Sequence, residues 1–290
     1  MNADVPQFIS QSRLPDSRCV DKVRLSPNHG ARRQGQIPDM LILHYTGMLE
    51  ARGMDGAERA IRWLCDPNSQ VSCHYVVAED GEITQLVPEA RRAWHAGVSD
   101  WAGESDINSV SIGIEIVNPG HPWDLAKAPD APAEEPAPVH PGYRDFPDVQ
   151  IVAVTALAAD VVSRYRIPPA RVLAHSDVAP SRKRDPGEKF PWKRLADAGV
   201  GLMPSAVEDV GNATVDGSIN IAAMQEKFAR LGYRIDVNGL NDRSTVDVVI
   251  AFQRHWRPAR VDGVADPATL AMLDLVLASA SSNMLVGGLA

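Results

Sequence analysis

Two short apolar runs in this chain end on a histidine and pass straight into a turn. Met40 to Leu43 precedes His44 in M-L-I-L-H-Y-T-G, and Val172 to Ala174 precedes His175 in R-V-L-A-H-S-D. A continuous apolar run bounded by turn residues reads as a buried strand. The loop after His175 is broken by Pro180 and Pro186 and carries Asp177, Lys183 and Asp185 within ten positions. A neutral imidazole and a carboxylate, presented from one loop beside a cation, suit a zinc site and its oxyanion stabiliser. Two ligands do not make a site, and His44 is the candidate third. Each residue also has a plainer use: a strand-ending histidine commonly just hydrogen-bonds, and Asp before Pro is a frequent turn residue.

The chain has 290 residues, 44% of them hydrophobic, enough for a buried core and for two domains. A net charge of −8, without a Lys/Arg-rich helix, argues against a nucleic-acid binder. Cys19, Cys65 and Cys73 form no C-x-x-C pair, and an odd number is no disulfide framework; free thiols fit a reducing compartment. No apolar run approaches the ~18 residues of a membrane span. The opening M-N-A-D-V-P-Q-F-I-S has neither the basic start nor the apolar block of a signal peptide. The expected location is cytoplasmic; a different natural N-terminus would point to the periplasm or cell envelope.

Residues 1–38 are polar and turn-rich, expected to form an arm over a domain spanning 39–199. Residues 55–65 have helical spacing, with Ala57, Ile61 and Leu64 on one face. Two β runs between Val71 and Val87 are split by Asp80-Gly81, a strong hairpin signal. In S-V-S-I-G-I-E-I-V-N, Val110, Ile112, Ile114 and Ile116 alternate with Ser111, Gly113, Glu115 and Val117. Glu115 is therefore a mid-strand carboxylate among small residues, a poor place for a merely solvated charge. Residues 119–147 read as a Pro-rich surface insertion, and 148–165 as an amphipathic helix capped by Asp148 and stopped before Pro168-Pro169. Residues 200–217 are the expected linker.

Several blocks together resemble the zinc-dependent N-acetylmuramoyl-L-alanine amidases of the AmpD-like family: L-I-L-H-Y-T at 41–46, S-C-H-Y-V-V-A-E-D-G-E-I at 72–83, R-A-W-H-A-G-V-S at 92–99, S-I-G-I-E at 111–115 and A-H-S-D-V-A-P-S-R-K-R-D-P-G at 174–187. They run from about residue 40 to 195 in the family's order, so the set is a strong signal where one block is weak. The resemblance implies an α/β fold, a mixed central β-sheet flanked by helices. It also implies one catalytic zinc and cleavage of the amide between muramic acid (or its anhydro form) and L-alanine of the stem peptide.

Residue by residue, the resemblance makes His44, His175 and Asp185 the zinc ligands, leaving a fourth position for water. It makes Glu115 the proton carrier and Lys183 the oxyanion stabiliser. Trp94 and His95 match an aromatic-histidine block beside the substrate groove, and Arg182 could pair with a stem-peptide carboxylate. Some wider relatives carry a helper tyrosine where this chain has Cys73, which puts more of the proton transfer on Glu115. Cys73 reads as a packed apolar residue and His74 as a core or supporting histidine. His29, His121 and His140 lie in expected loops and receive no role.

Residues 218–274 resemble a three-helix peptidoglycan-binding module. The first helix buries Ile221, Met224, Phe228 and Leu231 and is ended by Gly232; N-G-L-N stands at its first turn where an Asp-Gly pair is usual. Wall binding would raise the local substrate concentration for an attached amidase. Residues 275–290 are expected to form a loose tail. The substrate is peptidoglycan or a soluble muropeptide. The alternative from another class is a non-catalytic peptidoglycan recognition protein, and retention of all five site residues argues against it.

Overall fold

The structure is a computed structural model that describes residues 14–33, 35–48, 55–121, 143–204 and 219–287, with side chains described as far as 281. Most of the expected insertion, with His140, and most of the linker lie outside the described residues.

The sheet is built on the run that the sequence marks as buried. β3 (Met40–Tyr45) is buried along its whole length and pairs in parallel with β7 (Ser111–Ile116) on one side and β8 (Val172–Ala174) on the other. β4 (Tyr75–Val77) adds in parallel to β7, and β5 (Ile83–Gln85) folds back antiparallel through the Asp80-Gly81 turn. β1 (Lys22–Val23) closes the edge, giving a six-stranded mixed sheet of order β1-β5-β4-β7-β3-β8. The expected N-terminal arm thus contributes strands, since β2 (His29–Ala31) also pairs with β6 (Arg91–Ala93).

Period-two alternation assigns the two faces. Leu41, Leu43 and Tyr45 of β3 and Ile112, Ile114 and Ile116 of β7 pack against α3 (Asp148–Tyr165), which contributes Ile151, Val154, Leu157 and Val161. The opposite face carries Met40, Ile42 and His44, then Ser111, Gly113 and Glu115, then Leu173 with His175 just beyond. α1 (Gly56–Cys65) starts where the Asp55 carboxylate accepts the Glu58 N–H, and it packs Ile61 and Leu64 on Val76 and Leu86. Two local expectations change. Val110 ends the short helix α2 (Ile107–Val110) instead of extending the strand. Asp148 is the first residue of α3, not its cap, because Pro147 occupies the cap position and the Asp148 side chain pairs outward with Arg194.

After the short helices α4 (His175–Val178) and α5 (Trp192–Asp197) come α6 (Ile221–Leu231), α7 (Arg243–Trp256) and α8 (Pro267–Gly287). The residues expected as a tail from 275 continue α8 as far as 287, because Val276 and Ala280 are buried apolar positions that extend its packed face. The three helices are joined by two chemically equivalent turns. The Gln225 carbonyl accepts the N–H groups of Asn238 and Gly239 while its amide donates to Leu240 O and Thr245 Oγ1. Gln253 repeats this with Asp262, Gly263, Val264 O and Thr269 Oγ1. The Asn-Gly turn thus serves as well as the Asp-Gly turn, because Asn238 Oδ1 and Asp262 Oδ1 each accept the N–H two residues on.

This helical unit shares one apolar cluster with the sheet's second face: Met40, Ile42, Trp101 and Leu173 pack with Phe228, Tyr233, Val248 and Phe252. Trp101 is 2% exposed, burial that is typically worth ~1.5–3 kcal/mol for a large apolar side chain. Its ring lies so close to Gly232 that a Cβ there would sit 2.5 Å from it, at a φ of +132° that L side chains rarely adopt. Among the described residues no helix is long and apolar enough to cross a membrane.

Candidate active site

The polar side chains of the second face gather where the parallel strands β3, β7 and β8 end, the usual ligand edge of such sheets. His44 and His175 are delivered there by adjacent strands, and Asp185 returns to them ten residues after His175. His44 Nδ1 lies 2.9 Å from His175 Nδ1 and 3.0 Å from Asp185 Oδ2, and His175 Nδ1 lies 2.9 Å from the same oxygen. All three side chains are buried.

The outer hydrogen bonds decide which ring nitrogens carry protons. His175 Nε2 donates to the Ala96 carbonyl at 3.0 Å, so in the neutral ring Nδ1 keeps its lone pair. For His44 the assignment passes through two more groups. Ser111 Oγ donates to Ile107 O at 2.6 Å and therefore accepts from His95 Nε2 at 3.1 Å. Neutral His95 then has its lone pair on Nδ1, which accepts from His44 Nε2 at 3.0 Å. Both inward-facing Nδ1 atoms are thus electron-pair donors aimed at one point with a carboxylate oxygen. Supporting groups of this kind fix ring orientation at metal centres.

Charge favours the same state. Burial, reinforced by His175, pushes the His44 imidazole down to about 4, so it is neutral near pH 7. Burial pushes the Asp185 carboxyl up, but the two imidazoles outweigh it and hold it well below its usual range. Burial also drives His95 and His74 well down. Glu115 faces the same cleft, and its Oε2 is buried with no hydrogen-bond partner. Burial, aided by the Asp185 charge and opposed by Lys183, holds the Glu115 carboxyl well above its usual range.

His95, Glu115, His175 and Asp185 line a cleft of about 220 Å³ whose wall also includes Thr46, Met48, Trp63, Trp94 and Lys183. Trp94, expected beside a substrate groove, lies in the wall of this cleft. His95 lines the cleft too, with both its ring nitrogens engaged, by His44 and Ser111. Arg182 does not line the cleft; its guanidinium donates to the Ala96 and Val98 carbonyls and ties down the loop that accepts from His175. Cys73 and His74 are fully buried, as expected. His121, given no role, is buried against Glu188. Trp63 was missed. It is 48% exposed on α1, next to the apolar positions Ile61 and Leu64, and helical spacing alone does not separate a cleft-lining tryptophan from a packing one.

A single divalent cation fits the donor set. Tetrahedral coordination at about 2.0–2.1 Å separates ligand atoms by roughly 3.3 Å, and the three donors stand 2.9–3.0 Å apart with no N–H or O–H among them. Two imidazoles with one carboxylate are, moreover, the ligand set of a hydrolytic centre with an open position, not of a closed structural one. A mixed sheet bearing such a cluster, with an unpaired carboxylate beside it, is compatible with a metal-assisted hydrolase.

Comparison with known proteins narrows the class. Residues 34–188 match the family described as N-acetylmuramoyl-L-alanine amidase, and residues 218–273 match a putative peptidoglycan binding domain. The chain is 36% identical over 260 residues to the N-acetylmuramoyl-L-alanine amidase AmiD of Escherichia coli, a match covering 85% of this chain and 86% of that one. The structure of AmiD with anhydro-N-acetylmuramic acid-L-Ala-D-gamma-Glu-L-Lys superposes with a TM-score of 0.67 at 34% identity, covering 84% of this chain and 91% of that chain. AmpDh3 of Pseudomonas aeruginosa in complex with anhydromuramic pentapeptide gives a TM-score of 0.67 at 31% identity, covering 87% and 94%. This chain belongs to the N-acetylmuramoyl-L-alanine amidase family.

Proposed function

We propose that the enzyme hydrolyses the amide between the lactyl carboxyl of muramic acid, in its anhydro form among others, and the L-alanine amine of the stem peptide. His44, His175 and Asp185 would hold the catalytic ion, which we take to be zinc from its preference for two imidazoles and a carboxylate. An ion held there would supply a Lewis acid, able to polarise a carbonyl and make water more acidic. Glu115 takes a proton from the attacking water on its unpartnered Oε2 and passes it to the departing alanine nitrogen. The Lys183 ammonium stabilises the negative oxygen of the tetrahedral intermediate. Trp94 and Trp63 form apolar walls against which a sugar ring can lie.

The observation that carries this reading is the donor triangle with the unpaired Glu115 oxygen beside it. The ligands in the AmiD and AmpDh3 structures support an anhydro-muropeptide substrate. The match at 218–273 supports wall binding by the helical unit, so that intact peptidoglycan is a second substrate. The test is release of free stem peptide from anhydro-muropeptide and from intact sacculi, with and without a chelator. Chelator-sensitive release from the first substrate supports the proposal, and release from sacculi extends it to the wall. No release from either leaves a protein that only binds cell-wall sugar.

A further inference from the structure

The helical unit does more than adjoin the catalytic face: it grips both ends of the segment that carries two of the three proposed ligands. Asp177 lies two residues after His175, in the same short helix α4, and is 1% exposed. Its Oδ2 accepts the N–H of Ala174 at 2.8 Å, pinning the junction where β8 turns into α4 and releases His175. Its other two hydrogen bonds come from the C-terminal unit. Tyr233 Oη donates to Oδ1 at 2.7 Å, and His255 Nδ1 donates to Oδ2 at 2.7 Å. A carboxylate buried this deeply is held in place by its donors, and two of three belong to a different folding unit. His255 has little freedom to swing away, because its ring is stacked between Trp192 and Trp256 at centroid distances of 3.7 Å on each side. The neighbouring residue Arg254 reaches the other end of the segment, with its Nε 3.7 Å from Glu188, three residues after Asp185.

We propose that Tyr233 and His255 are positioning residues for the metal centre. Acting through Asp177, they set the placement of His175, so the C-terminal unit is part of the catalytic apparatus as well as a candidate tether. The inference rests on the metal-ligand reading above, but not on any substrate. A tether alters the local concentration of an anchored polymer; a buttress alters metal affinity and turnover on a small soluble substrate. Outer partners of metal ligands typically govern affinity or activity by ~10–100-fold.

The test uses the full-length protein and two readouts: zinc affinity by chelator competition, and kcat and KM on a soluble anhydro-muropeptide. Tyr233→Phe removes one hydroxyl and keeps the ring that packs on Trp101. His255→Phe keeps an aromatic ring between the two tryptophans and loses the donor, whereas His255→Asn keeps a donor near the Nδ1 position and loses the ring. Arg260→Ala, on the exposed outer face of the same unit, is the control. We expect weaker zinc binding by ~10–100-fold and lower kcat at unchanged KM in both phenylalanine variants, with His255→Asn nearer the wild type. Wild-type zinc affinity and kcat in Tyr233→Phe and His255→Phe would overturn the proposal and leave the unit a tether. So would His255→Asn faring worse than His255→Phe, since ring packing would then be what matters. Should the wild type cleave no muropeptide, the amidase reading fails while the zinc affinities still decide this one.

Discussion

His44 and Glu115 occupy the same rung of the parallel ladder between β3 and β7, their Cα atoms paired in register. Both side chains leave the sheet on the face opposite α3, so backbone hydrogen bonding sets the distance between a proposed ligand and the proposed proton carrier. Glu115→Gln keeps the shape and removes the proton acceptor. Turnover on anhydro-muropeptide should fall by ~10²–10⁴-fold, while zinc affinity by chelator competition stays near the wild-type value. A glutamine variant with wild-type turnover would remove Glu115 from the mechanism.

Lys183 shares the cleft with Glu115 and acts on the same charges. If its ammonium stabilises the oxyanion, Lys183→Ala should lower kcat by ~10²–10³-fold. Lys183→Arg should recover only part of this, because a planar guanidinium delivers its charge differently. Steady-state kinetics that show a raised KM with unchanged kcat would instead make the lysine a substrate-binding cation.

Glu115, His44 and His175 show how far local pattern carries an inference. Strand alternation in S-I-G-I-E placed Glu115 on a face apart from the core isoleucines, and the apolar runs placed His44 and His175 at strand ends; these are short-range consequences of a period of two. What pattern cannot contain is which loops meet. His95 lines the cleft, but that its ring also sits over Gly113 and against His44 is set by the fold. Arg182 reads like a partner for a substrate carboxylate, and only the fold shows its guanidinium bonded to the Ala96 and Val98 carbonyls. The partners of Asp177 lie 56 and 78 residues away in another helical unit, so no spacing rule could pair them. Helix ends erred for a related reason: α8 runs on past 275 because tertiary burial of Val276 extends it.

Gly113 stands mid-strand because the His95 ring occupies the space of its missing side chain. A Cβ there would lie 2.6 Å from the ring, a contact that neither the sheet backbone nor an engaged imidazole can relieve cheaply. Gly113→Ala should therefore destabilise the fold by ~1–3 kcal/mol, the usual cost of overpacking. The displaced ring should also loosen its bond to His44 Nε2 and weaken zinc binding. Urea unfolding and chelator titration check the two effects separately. Stability and affinity both at wild-type level would mean that the ring sits elsewhere in solution.

If the donor triangle holds a cation, folding and metal binding form one linked equilibrium. Without a cation, two imidazole lone pairs and a carboxylate oxygen face one another at 2.9–3.0 Å inside the protein; with one, each has its electrostatic partner. A ligand that binds only the folded state adds about 2.7 kcal/mol at a hundredfold excess over its dissociation constant. For a chain of this size that should raise Tm by roughly 5–10 °C, and a chelator should reverse the rise. His175→Ala and Asp185→Ala each delete one corner, so added zinc should leave their melting curves almost unmoved. Differential scanning calorimetry of the three proteins with and without zinc is the measurement. A wild-type response from either variant would show that the ion stabilising the fold is held by residues other than these.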